Sequence, residues 1–142
     1  MKIIIEKLVN ADLDAVWGAW NSPDDIKQWN AASDDWHTTE SRVDLRDGGK
    51  FSARMEAKDG SAGFDFEGTY TRVVPRKLIE FKLEDDRTVK VEFAESEDGT
   101  HITETFDAET VNDPELQRLG WESILDAFAA HVEAKAVGQG SQ

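Results

Sequence analysis

The spacing of apolar positions along the chain switches between the period of a strand and that of a helix, and the switching predicts its elements. Residues 2–9 are rich in isoleucine and alternate imperfectly, which predicts a first strand. Asp12 then caps a short helix in which Leu13, Val16, Trp17 and Trp20 share a face. Ser22 and Pro23 restart a second helix as cap and first helical residue, with Asp24 and Asp25 in the first turn and Ile26 and Trp29 turned inward. Six period-two runs follow, separated by Asp47-Gly48-Gly49, Asp59-Gly60, Pro75-Arg76-Lys77, residues 84–87 and Glu97-Asp98-Gly99. Their inward positions include Val43 and Leu45, then Phe51, Ala53, Met55 and Ala57, then Phe64, Phe66, Gly68 and Tyr70. They continue with Ile79, Phe81 and Leu83, then Val89, Val91 and Phe93, then Ile102, Glu104 and Phe106.

Residues 112–135 revert to helical spacing. Asp113 is the cap, Pro114 the first helical residue, and Trp121, Ile124, Leu125, Phe128 and Val132 form one apolar stripe. Glu122, Asp126 and Glu133 are expected on the opposite face, in water, and Gly120 is expected to permit close packing. Hairpin-linked strands make an antiparallel sheet with one apolar face to cover, and only the last helix is long enough to cover it. The expected fold class is α+β: a curved antiparallel sheet of about seven strands wrapped around a long C-terminal helix. The mid-strand Gly68 is expected where that helix approaches. Residues 1–136 are expected to form one domain and 137–142 a flexible tail.

Charge narrows the function. Acids outnumber bases 30 to 16, a net charge of −14, which opposes phosphate-backbone and anionic-membrane binding. Hence neither nucleic acid nor membrane is an expected partner. With no cysteine there is no disulfide, thiol nucleophile or thiolate metal site. His37, His101 and His131 are not spaced as metal ligands, and no phosphate-binding or dinucleotide glycine motif occurs, so neither metal nor cofactor is expected. The N-terminal apolar run is too short for a signal peptide, so a cytoplasmic location is expected.

A curved sheet around a helix leaves a wedge suited to an apolar ligand. The expected lining is Trp20, Trp29, Phe51, Met55, Phe64, Phe66, Tyr70, Phe81, Val91, Phe93, Trp121, Leu125 and Phe128, each of which also serves the core. The alternation additionally sets His37, Thr39, Ser41 and Glu104 on inward faces among apolar neighbours. An enclosed carboxyl needs a partner, a proton or a wet cavity, so Glu104 is expected to have one of these, and the four groups are candidates to orient the polar head of a ligand. His37 or Glu104 could serve there as a general acid or base, and the strand ends opening to solvent would instead leave these groups merely hydrated.

Val16-Trp17, Pro23, Trp29, Gly48-Gly49-Lys50-Phe51, Gly68-Thr69-Tyr70, Pro75, Gly99-Thr100 and Gly120-Trp121 form an ordered set. From about Ile3 to Glu133 the chain resembles the START-like (SRPBCC) superfamily, in the branch of the activator of heat-shock protein 90 ATPase. Lys27-Gln28-Trp29-Asn30, Ser33-Asp34-Asp35-Trp36-His37 and Phe106-Asp107-Ala108-Glu109 are similar to its bacterial stand-alone members. The resemblance implies the helix-grip fold. Relatives include lipid carriers, hormone receptors, cyclases and aromatases, and a chaperone activator, so it implies function only loosely. The expected activity is binding of a small hydrophobic or aromatic ligand by a monomer or weak dimer. A cyclase- or hydrolase-like enzyme using His37, Glu104 or Tyr70, and a chaperone co-regulator, are the alternatives. The eukaryotic activator carries a further N-terminal domain that these residues do not include, which ranks the co-regulator last.

Overall fold

In the computed structural model, which describes residues 2–31 and 33–140, ten elements follow the predicted order. They are β1 (Lys2–Val9), α1 (Leu13–Asn21), α2 (Pro23–Trp29), β2 (Trp36–Val43), β3 (Lys50–Ala57), β4 (Gly63–Val74), β5 (Leu78–Leu83), β6 (Thr88–Ser96), β7 (Gly99–Asp107) and α3 (Pro114–Gly140). The strands form one antiparallel sheet in the order β1-β7-β6-β5-β4-β3-β2, curled into a half-barrel around α3. Hairpins join neighbours from β2 to β7. β1 closes the far edge by pairing with β7, Ile5 opposite Glu104.

Local chemistry sets the helix starts. Asp12 accepts from the Ala15 N–H at 2.8 Å, and Asp113 accepts from the Glu115 N–H at 2.8 Å, so each carboxylate satisfies a donor that the first turn leaves free. Ser22 caps α2 by accepting from the Asp25 N–H. The helix α3 runs on to Gly140, through the first four residues of the segment expected as a tail; Ser141 and Gln142 lie outside the described residues.

The inward faces assemble as the alternation predicts. Ile3, Ile5, Ile79, Val89, Val91, Ile102 and Phe106 are buried beneath Leu125, Phe128 and Val132 of α3. Three expectations fail on physical grounds. Gly68 does not admit the helix: a Cβ there would meet the Phe51 ring at 2.8 Å and the Lys82 carbonyl oxygen at 2.9 Å, so Gly68 makes room for its cross-strand partner. A Cβ at Gly120 would meet nothing within 4 Å, so that glycine is not demanded by packing. The acids of α3 lie on its solvent side as expected, with Asp126 63% exposed, and two of the three also reach the first strand or the residue after it. Asp126 pairs with Lys7 at 3.1 Å and Glu133 accepts from the Asn10 N–H at 2.8 Å, while Arg118 of the same flank donates to the Ile4 carbonyl at 3.0 Å. Together they cover the β1 edge. Finally, a bulge in β2 reverses the faces of its first residues, with consequences described below.

Candidate functional site

The aromatic side chains expected to line a wedge divide into two groups. Trp20, Trp29, Phe93 and Phe128 fill one another's space: Phe128 lies 4.9 Å from both tryptophans in edge-on contacts, Trp20 lies 5.1 Å from Trp29, and its ring meets Phe93 edge-on at 5.7 Å. The Trp29 Nε1–H donates to the Ala19 carbonyl at 3.1 Å, which fixes α2 against α1. This end of the half-barrel is plugged. Met55 is buried outside this cluster, its sulfur against the Thr38 hydroxyl and the Asn30 amide. The buried Leu125 and Val91 lie in the same core as the plugging aromatics.

The second group is looser. Phe51 meets Phe81 edge-on at 4.8 Å and lies near Tyr70 at 5.2 Å and Phe66 at 5.8 Å. Trp121 of α3 stacks on Phe106 of β7 at 4.0 Å and meets Phe66 edge-on at 6.4 Å. Phe51, Phe66 and Trp121 stay half-buried although all three point into the concave side. Phe64 has the predicted inward phase, opposite Met55, but sits at the end of β4, 49% exposed beside Trp36. It stands at the exposed end of β4 rather than lining the concave side.

Glu104 is enclosed as expected. It is 5% exposed, on the inward face of β7, with Ile5 opposite on β1 and Val91 opposite on β6. Burial raises its pKa from 4.5 to about 8, and no hydrogen bond or charge counters that effect. No fully enclosed side-chain oxygen or nitrogen among the described residues lacks a partner, so the Glu104 oxygens border space that water can reach. Tyr70, also inward, has its phenol pushed up to about 12 by burial and by the Asp44 carboxylate.

The other polar candidates are displaced. Thr38 pairs with Met55 and Glu40 with Arg54, so Thr39 is the extra residue of a bulge, its hydroxyl 3.5 Å from the Arg54 carbonyl. Strict alternation from Val43 fails at this point. Ser41 keeps the inward phase, opposite Ala53, but His37 lies opposite Glu56, on the convex side, and Thr38 is the residue turned inward, donating to the Asn30 carbonyl at 2.7 Å. His37 and Glu104 therefore cannot act on one substrate.

Sequence reasoning missed a buried polar cluster between α2 and α3. The Asp25 carboxylate lies 2.8 Å from His131 Nε2 and 3.0 Å from Lys135 Nζ, with 8% of the residue exposed. Burial pushes its pKa up, but hydrogen bonds from His131, Lys135 and Ser22 outweigh burial and hold it below the ordinary value. The available signal was the spacing of His131 and Lys135, one turn apart beside the apolar stripe.

Two surface clefts avoid α3 altogether. One, of about 750 Å³, lies over β2–β5 and is bordered on the convex side by Lys50, Glu67, Thr69, Lys82 and Glu84; the Glu84 carboxyl raises the pKa of Glu67. The other, of about 710 Å³, lies between the β1–α1 connection and the β6–β7 turn. Among the described residues no group of three His, Cys, Asp or Glu side chains is placed to hold a metal ion, and no helix is long and apolar enough to cross a membrane.

Over residues 10–133 the chain matches the family described as Activator of Hsp90 ATPase homolog 1-like protein. The chain belongs to this family. An AHSA1-like protein from Aeromonas hydrophila, solved in solution, is 55% identical with a TM-score of 0.91, over 96% of this chain and 94% of that one. Chr148 from Cytophaga hutchinsonii is 42% identical at a TM-score of 0.82, over 95% and 94%. At 19% identity, NE0264 from Nitrosomonas europaea shares the fold, with a TM-score of 0.82 over 96% and 97%. Among proteins of curated function none matches. The AHSA1-like assignment agrees with the START-like resemblance and with the helix-grip architecture.

Proposed function

We propose that this AHSA1-like chain binds a small hydrophobic ligand on the concave side of its sheet, at the end left open by the Trp20–Trp29–Phe128 plug. The observation that carries this reading is the uncovered aromatic wall: Phe51, Phe66 and Trp121 point inward yet keep solvent-accessible surface. Leaving such rings partly wet costs roughly 25 cal/mol for each Å² of apolar surface, which an apolar ligand would recover. The ligand site is smaller than the full lining expected from the alternation, because the plugged aromatics already satisfy one another.

Thermal-shift screening against a lipid and aromatic library, followed by amide chemical-shift mapping, tests the reading. The expected result is a raised melting temperature for a subset of compounds, with perturbations concentrated in β3, β4, β7 and the first half of α3. Flat melting temperatures across the library, with native mass spectra showing only the bare polypeptide, would overturn it. A second reading, docking to a protein partner, is favoured by the outer face of α3, where Leu116 is 64% and Leu119 53% exposed beside Val111 at 88%. The family's name suggests a chaperone; no pull-down and an unchanged chaperone ATPase rate would dismiss that partner.

A further inference from the structure

Resting on the concave ligand site just argued, we propose that its ligand is a lipophilic amine held as the cation, the ammonium against the Glu104 carboxylate and the apolar body against Trp121 and Phe66. Glu104 is more than nine-tenths buried, lies on the inward face of β7 towards α3, and has no hydrogen-bonding or charged partner among the described residues. Its cross-strand neighbours are Ile5 and Val91, and the residues two positions away on its own strand are Ile102 and Phe106. From α3 the stripe of Trp121, Leu125 and Phe128 supplies no charge. The cation at an inward position of β1, Lys7, is engaged by Asp126 of α3 at 3.1 Å, and the charges of β6, Lys90 and Glu92, lie on the convex side and pair with each other at 3.7 Å. A carboxyl group so placed lacks a counter-charge that the ligand can bring.

Three features favour a cation over a neutral hydrogen-bonding head. The Phe106–Trp121 stack adjoins Glu104 along β7, and aromatic faces attract ammonium groups. The net charge of −14 raises the concentration of cations around the protein. Ionising Glu104 at pH 7 costs a factor of only about ten, since its acid form persists to about pH 8, and a close ion pair at so enclosed a carboxyl returns more than that.

Isothermal titration of the full chain at pH 7 with phenylpropylamine and with phenylpropanol, which differ in the head group alone, provides the test. The amine is expected to bind about tenfold tighter or better. It should release about one proton per molecule bound, read from buffers of differing ionisation enthalpy, because Glu104 must ionise to pair with it. Glu104→Gln should abolish the preference, so that amine and alcohol bind the variant with similar affinity. Equal or tighter binding of the alcohol overturns the amine assignment while leaving the apolar site in place. An amine preference that survives Glu104→Gln places the cation elsewhere on the acidic surface and overturns it too. Binding of neither compound counts against this assignment and the ligand site together. The proton count is read on the unaltered chain, so amine binding without proton release overturns the assignment even if the variant fails to fold.

Discussion

A carboxyl group enclosed between Ile5 and Val91 makes folding depend on pH in an unusual direction. In the folded chain Glu104 keeps its proton to about pH 8, against the ordinary value of 4.5. Between those values the native state binds a proton that the unfolded state has released, so stability is intact below the lower value and falls as pH rises through the upper one. At pH 7 the loss is roughly 3 kcal/mol. Glu104→Gln cannot ionise and escapes it. Urea midpoints of the two proteins should therefore agree near pH 4 and diverge towards pH 8, with the variant the more stable; parallel pH profiles would mean that the carboxyl is hydrated. This residue was legible because alternation in β7 is unbroken, which put one carboxyl in a row with Ile102 and Phe106. His37 was not, because the single inserted Thr39 leaves no mark in composition yet exchanges the two faces of the strand.

At the scale of elements, the capped helices and hairpins were readable from local chemistry, and the contacts that hold helix to helix were not. Asp24 and Asp25 look alike as acids in a first turn, but Asp25 alone meets His131 and Lys135, more than a hundred residues downstream. That three-part contact clamps α2, which packs against β2, to the C-terminal half of α3. Removing the charge while keeping the shape, as in Asp25→Asn, should cost about 1–3 kcal/mol near neutral pH. The depressed pKa of Asp25 means its stabilising contribution is present above the ordinary carboxylate value and is lost as pH falls through the lower folded value. The deficit of the variant in urea unfolding should thus be clear at pH 7 and vanish near pH 2. A deficit of equal size at both would show that packing, not charge, was disturbed. The plug formed by Trp20, Trp29 and Phe128 sits beside this clamp and should hold α2 in place when it is weakened.

Taken whole, the molecule carries 30 acids and 16 bases, and its ion pairs are mostly exposed: Lys2–Asp107, Arg46–Asp44 and Arg76–Asp14 each have at least one partner more than half accessible. Such pairs contribute about 0–1 kcal/mol apiece, and salt weakens them. Salt also weakens the repulsion among the excess carboxylates, and reach decides between the two effects. A chain of this length has a radius of gyration of roughly 14 Å. The Debye length is about 30 Å at 0.01 M salt, so at low salt each excess charge is felt across the whole fold, whereas at 1 M it is about 3 Å and only neighbours interact. Exposed ion pairs at 3 Å are weakened over that range but still felt; repulsion across the molecule is almost abolished. The melting temperature should therefore rise by several degrees between 0.01 M and 0.5 M sodium chloride at pH 7, as followed by circular dichroism. A melting temperature that falls over the same range would mean that the surface pairs, and not the net charge, set the electrostatic balance of the fold.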